Sequence, residues 1–426
     1  MAEPGMSVTP YWELTFDADG DVDGPERDRL LAQVTDQGVR DLIVFAHGWN
    51  EDRSGATALY RSFFAPIPAL APKARIGYVG VIWPSMRFCD EPIPDFPRSV
   101  AAVAAQAAPG PALDKDTRRA LLAAFPGRAT VLDQLARMLD EQPAGDQGPA
   151  EFGRLVRLLV ETPEPCAASD TSQEGEPLVF GGDPATACEE FADALSGLHA
   201  EFTLPNPWEG AKELLRQAAY YTMKRRAGTV GEHGLGPLIG QLAASGVRVH
   251  LVGHSFGGRL VAFALRGLPE GVRAVKSVTL LQGAFSHYAF AARLPHDPDT
   301  AGALKDRQKR IDGPLVCCYS HFDAALGTFY PLASRLAGAD HSVLGVDIAA
   351  VLGSEWGAMG HDGVQAVPGT AGLDLAAALR GPLPASGCVN VDAAAVVRRG
   401  GPPAGAHSDI LHPELARVVL AAGRIA

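Results

Sequence analysis

A serine set between glycines, at the end of an apolar run, is the residue of this chain best suited to attack a carbonyl carbon. It is Ser255, in Gly253-His254-Ser255-Phe256-Gly257, which fits the pattern G-x-S-x-G. Five residues say little in a chain with 47 glycines; their setting says more. Val247 to Val252 reads as a strand rich in β-branched residues, and Gly258 to Leu268 reads as a helix. A strand running into a helix through this pattern predicts a sharp turn that lifts the serine off the sheet, with the glycines leaving room for the turn and the helix. A serine hydroxyl is a weak nucleophile at neutral pH. It needs a histidine to take its proton and a carboxylate to orient and stabilise that histidine.

With strand, turn and helix in this order, the chain resembles the α/β-hydrolase superfamily, in particular its serine esterases and lipases. The resemblance covers most of the chain outside a central block, residues 88–208. It implies a triad in chain order serine, then Asp or Glu, then histidine. The acid is expected in the loop after a strand that follows the serine unit. Leu315 to Ser320 reads as such a strand, so the resemblance implies Asp323, with Asp347 and Asp362 as rivals and a helix N-cap as the plain use of an Asp there. The base is expected between the last strand and the last helix. Ala406-His407-Ser408-Asp409 fits, which implies His407; His361 in another Gly-rich loop is its rival, and His412 directly precedes Pro413 and suits a helix cap. Two backbone N–H donors must face the oxyanion of a tetrahedral intermediate. The resemblance implies Phe256 for one. For the other it implies Trp49, in Phe45 to Asn50 (FAHGWN), where Gly48 lets the backbone turn; a plain strand-to-helix turn is the alternative. The Trp49 side chain is also expected to wall the acyl pocket. His254, inside the turn, is expected to point away from Ser255 and pack, with a substrate contact as its second use.

The elements that must position these residues alternate. Strands are expected at Tyr11 to Phe16 (an edge), Asp41 to Ala46, Ile76 to Trp83, Val247 to Val252, Val275 to Leu281, Leu315 to Tyr319 and Val389 to Asp392. Helices are expected at Glu26 to Val34, Ala56 to Phe64, Glu209 to Arg226, Leu235 to Ala244, Gly258 to Leu268 and Pro413 to Ala422. Such alternation argues for an α/β fold, a mostly parallel sheet covered by helices on both faces. The continuous apolar run DLIVFA suits a strand buried on both sides. From Phe88 to Trp208 the pattern becomes helix and loop, with amphipathic stretches at Thr130 to Leu139 and Phe152 to Val160. Residues 88–208 are therefore read as a helical cap inserted into a core of residues 1–87 and 209–426, an unrelated domain being the alternative. Phe152 and Trp208 read as core of that block.

The bulk properties narrow the partners. The chain has 426 residues, 47% hydrophobic and 20% charged, with a net charge of -12. An acidic surface repels phosphate backbones and anionic membranes, so no nucleic-acid partner is expected. None of the six cysteines forms a C-x2-C pair, and they read as free thiols in a reducing compartment. The first residues carry no basic and apolar leader, and no run of 18 apolar residues occurs, so a cytoplasmic protein without a membrane segment is expected. There is no P-loop, no G-x-G-x-x-G after a strand and no H-E-x-x-H; neither cofactor nor metal is expected. The basic cluster Lys224-Arg225-Arg226 is explained by the dipole of a helix end, a contact to an anionic substrate being the alternative. The expected reaction is hydrolysis of a carboxylic ester, its small acyl substrate partly apolar as a cap suggests, through an acyl-enzyme. The same triad also serves amidases, peptidases and acyltransferases, and a fold member without catalysis that binds a partner is the reading from another class. The sequence sets no oligomeric state.

Overall fold

The computed structural model describes residues 5–49, 51–86, 111–145, 147–160, 183–197, 205–329, 357–401 and 404–426. Eight strands form one sheet: β1 (Tyr11–Thr15), β2 (Asp41–Ala46), β3 (Ile76–Ile82), β4 (Arg248–His254), β5 (Val275–Leu281), β6 (Pro314–Tyr319), β7 (Ala371–Asp374) and β8 (Gly387–Asp392). Their order is β1-β3-β2-β4-β5-β6-β8-β7, and every neighbouring pair is parallel. All six residues of β2 are buried: Leu42 to Ala46 are apolar, as a central strand requires, and the carboxylate of Asp41 is paired. β1 lies at one edge.

Four helices pack on the sheet, the first of them against the edge strand β1. Helix α1 (Gly24–Asp36) starts at Asp23, whose carboxylate accepts from the Glu26 N–H at 3.0 Å. Helix α2 (Arg53–Phe64) starts the same way at Asp52, which accepts from Gly55 N–H at 2.8 Å. Each cap satisfies a backbone donor that has no intrahelical partner. Helix α3 (Phe256–Gly267) packs against β2, β4 and β5. Helix α4 (Pro413–Gly423), with Pro413 in its first turn, packs against β4, β5 and β6. Along β2, Ile43 and Phe45 join the core formed with α2 and α4, whereas Leu42 and Val44 alternate to the opposite face. Phe45, Tyr60, Phe63 and Phe64 pack as tilted and edge-on rings, Phe45 and Phe63 with centroids 4.8 Å apart.

The structure departs from the sequence reading at several elements, three of which bear on the site or the sheet. β7 is an additional strand: Ala371 and Gly372 are poor strand formers, and the strand alternates between half-buried and exposed at the sheet edge. Helix α3 begins two residues before Gly258, because the chain turns helical directly after Ser255. The helix expected from Glu209 runs over Pro207–Thr229, and a π-helical turn, Val230–Leu235, links it to Gly236–Leu242.

The chain divides into two compact units. One comprises Met1–Ser85, Lys224–Gly327 and Gly357–Ala426, and holds the whole sheet. The other comprises Met86–Met223 and Thr328–Trp356. Its described part is helical, with helices Lys115–Ala124, Ala129–Glu141, Gln147–Val160 and Pro184–Gly197. Leu121, Leu135, Phe152 and Phe191 fill its interior, and the Phe152 ring meets Trp208 edge-on at 6.1 Å.

At the N-terminal end of the sheet, Asp41, Arg248, His250 and Ser277 close a buried polar network across β2, β4 and β5. The carboxylate of Asp41 lies 2.8 Å from Arg248 Nη1 and 3.0 Å from His250 Nε2. His250 Nδ1 lies 2.9 Å from Ser277 Oγ. Burial pulls the His250 pKa down, which keeps the ring neutral. Its Nε2–H then donates to Asp41, and its Nδ1 accepts from the Ser277 hydroxyl.

Candidate functional site

At the opposite end of the sheet, the carboxyl ends of β2, β4, β5 and β6 converge. Ser255 sits between β4 and α3 with φ 54° and ψ -122°, a backbone conformation that costs a side-chain-bearing residue energy. The turn is held from β5: Ser255 N–H donates to the Leu281 carbonyl at 3.1 Å, and the Ser255 carbonyl accepts from Ala284 N–H at 3.2 Å. Gly257 explains the second glycine of the pattern. A Cβ there would lie 1.9 Å from the Ala46 carbonyl oxygen, so the first turn of α3 can press against β2 only without a side chain.

The structure brings Ser255, His407 and Asp323 into one hydrogen-bonded chain. His407 Nε2 lies 2.9 Å from Ser255 Oγ, and His407 Nδ1 lies 2.7 Å from Asp323 Oδ2. Asp323 follows β6 and is 0% exposed. Its other oxygen accepts from Leu326 N–H at 3.1 Å, so it both caps a turn and orients the ring. Its loop is braced by Ser320, whose hydroxyl donates to the Val397 carbonyl at 2.6 Å. The His407 loop is tied to the same segment through Ala406 N–H, which donates to the Phe322 carbonyl at 2.9 Å. A carboxylate on Nδ1–H leaves Nε2 as the acceptor, the tautomer needed to take a proton from a hydroxyl.

The rivals are engaged elsewhere. His361 Nδ1 faces the backbone oxygen of Asp323 at 3.3 Å, not its carboxylate. Asp362 pairs with His287 at 2.7 Å, and His412 with Asp409 at 2.8 Å. Asp347 lies outside the described residues. His254 is buried, with Nε2 2.9 Å from the His407 carbonyl oxygen.

The loop after β2 lies directly against the serine. A Cβ on Gly48 would fall 2.8 Å from Ser255 Cβ, so only glycine lets this backbone approach so closely. Trp49 is half-buried, and its ring centroid is 6.2 Å from that of Phe256. Phe256 is the first residue of α3, where helix N–H groups have no intrahelical acceptor and the helix dipole is positive. The loop is fastened by residues that no sequence motif marks. His47 N–H donates to the Tyr60 hydroxyl at 3.0 Å, and that hydroxyl donates to the Val81 carbonyl. Trp83 Nε1–H donates to the His47 carbonyl at 3.0 Å and its ring stacks on His47. His47 Nδ1–H donates to the Gly48 carbonyl at 2.9 Å. Burial pulls the His47 pKa down to about 4, so the ring is neutral.

The same three residue types therefore meet at both ends of β4, in different surroundings. Ser277 lies within β5 itself and is 1% exposed, whereas Ser255 stands in the turn that leads into α3. The described thiols do not compete as nucleophiles: burial pushes Cys188, Cys318 and Cys388 up to about 12, and Cys317 also rises. Among the described residues, no helix is long and apolar enough to cross a membrane, and no group of three or more His, Cys, Asp or Glu is placed to hold a metal ion. No protein-family model, curated protein or solved structure matches the chain.

Proposed function

We propose that the protein is a serine hydrolase of the α/β-hydrolase fold that cleaves a carboxylic ester through an acyl-enzyme. The observation that carries this reading is the chain from Ser255 Oγ through His407 to buried Asp323, with contacts of 2.9 and 2.7 Å. It is supported by the left-handed turn at Ser255 and by the order of the three residues in the sequence. Ser255 Oγ attacks the ester carbonyl while His407 Nε2 takes its proton. Asp323 holds the ring and stabilises the imidazolium that forms. The oxyanion is met by the N–H of Phe256 and by that of Trp49. Collapse of the intermediate breaks the carbon–oxygen bond to the alcohol, which leaves with the proton from His407. Water then gives a proton to His407 and attacks the acyl group, and Ser255 regains its proton as the acid departs. No step calls on a metal or cofactor.

Labelling with a fluorophosphonate followed by peptide mass spectrometry tests this without a known substrate, because the probe reacts with activated serines. The expected result is one adduct on Ser255, lost in His407→Ala, with Ser277 unmodified. A folded protein that gives no adduct on Ser255 would overturn the proposal.

A further inference from the structure

His254 makes no bond in the proposed reaction, yet it touches two of its parts. The ring is 4% exposed and lies 5.1 Å, centroid to centroid, from that of His407. Its Nε2 is 2.9 Å from the backbone carbonyl oxygen of His407. A carbonyl only accepts, so Nε2 carries the proton, and a neutral ring then leaves Nδ1 as a bare lone pair. Nδ1 is buried and has no hydrogen-bond partner among the described residues. It faces the loop after β2: a Cβ on Gly48 would lie 3.1 Å from it. Burial, with His407 and His47 close by, holds its pKa at about 3, which keeps this tautomer through the neutral range.

The structure assigns His254 a positioning role: its Nε2–H tethers the main chain of His407 to the strand that carries Ser255, while its Nδ1 edge abuts Gly48. The role rests on the proposed reading of His407 as the base. Its physical reason is the arrangement of the loops. Ala406 binds the backbone of Phe322, which fixes the His407 loop to the side of the acid. The tether from His254 fixes it to the side of the nucleophile. A proton transfer across the 2.9 Å between Oγ and Nε2 tolerates little drift, and a displacement of about 1 Å costs about a hundredfold in rate. A donor at the Nε2 position is needed; a donor at the Nδ1 position would face Gly48 instead.

Three variants of the full chain separate this from simple packing: His254→Leu, His254→Gln and His254→Asn. Glutamine carries its amide nitrogen near the Nε2 position and asparagine near the Nδ1 position. The readout is fluorophosphonate labelling of Ser255, resolved into the maximal rate and the half-saturating probe concentration, with a thermal melt for each variant. In His254→Leu and His254→Asn the maximal rate is expected to fall about ten- to a hundredfold with half-saturation within about twofold. His254→Gln is expected to recover to within about threefold of the parent. Equal rates for glutamine and asparagine, or a change confined to half-saturation, would show that the ring only fills space and overturn the assignment. The glutamine–asparagine contrast decides the matter even if the leucine variant does not fold. Absence of labelling in the parent protein removes the proposed function and this role together. Labelling that needs His407 but is indifferent to His254 removes this role alone.

Discussion

Ser255 holds its position at the cost of backbone strain. Its φ of 54° and ψ of -122° are tolerated by glycine and costly for any residue with a Cβ, by about 1–3 kcal/mol. Ser255→Ala removes the hydroxyl but keeps the strain. Ser255→Gly removes both, offset in part by the greater freedom of glycine in the unfolded chain. The glycine variant is therefore expected to exceed the alanine variant by about 1 kcal/mol in urea unfolding, although both lack the hydroxyl; equal midpoints would show that the turn is relaxed. Ser255 could be picked from the sequence because its turn needs glycines on both sides, and glycines can be read. Asp323 and His407 could not be picked that way. Their positions follow from chain order in a resembling family, since an Asp after a strand serves equally as a helix cap, and Asp323 indeed also accepts from Leu326 N–H. The contact of His254 with the His407 carbonyl bridges 153 residues and leaves no local trace.

At the scale of elements, what fixes the loop after β2 is a clamp from α2 and the segment after β3. The Tyr60 hydroxyl serves two backbone groups at once, accepting from His47 N–H and donating to the Val81 carbonyl. Tyr60→Phe leaves both without this partner in a dry place, and each orphaned group costs about 1–3 kcal/mol. The expected outcome is a lower urea midpoint together with slower labelling of Ser255, since His47 opens the loop whose Gly48 lies against Ser255. A variant as stable and as reactive as the parent would show that this hydroxyl holds nothing. The central strands were legible because burial on both faces forces continuous apolar runs such as Leu42 to Ala46. β7 was not, because an edge strand gains its place from one neighbour, β8, and needs no apolar run of its own. Nothing in the sequence marks Tyr60 beyond its place inside the helix expected at Ala56 to Phe64.

For the molecule as a whole, neutral buried histidines couple stability to acidity. His47 and His254 are held at about 4 and about 3, against 6.5 for an ordinary imidazole. As pH falls below about 6.5, the unfolded chain takes up protons on these rings while the folded chain does not, so the unfolded state gains. Stability is expected to be fullest above that value, to drop by a few kcal/mol as pH falls toward about 4, and to level only once the native rings protonate. Urea midpoints measured from about pH 7.5 to 4.5 check this; a flat profile would mean that the rings are open to water. The interleaving of the sheet also orders events in time. β7 is synthesised before β8, the strand it pairs with, and His407 is made 152 residues after Ser255. At ribosomal speed that interval is about 8 to 30 s. On the proposed reading, a growing chain carries Ser255 throughout that interval as an ordinary alcohol, inert toward the esters around it. Reactivity arrives only when the last strand and the loop after it have been made.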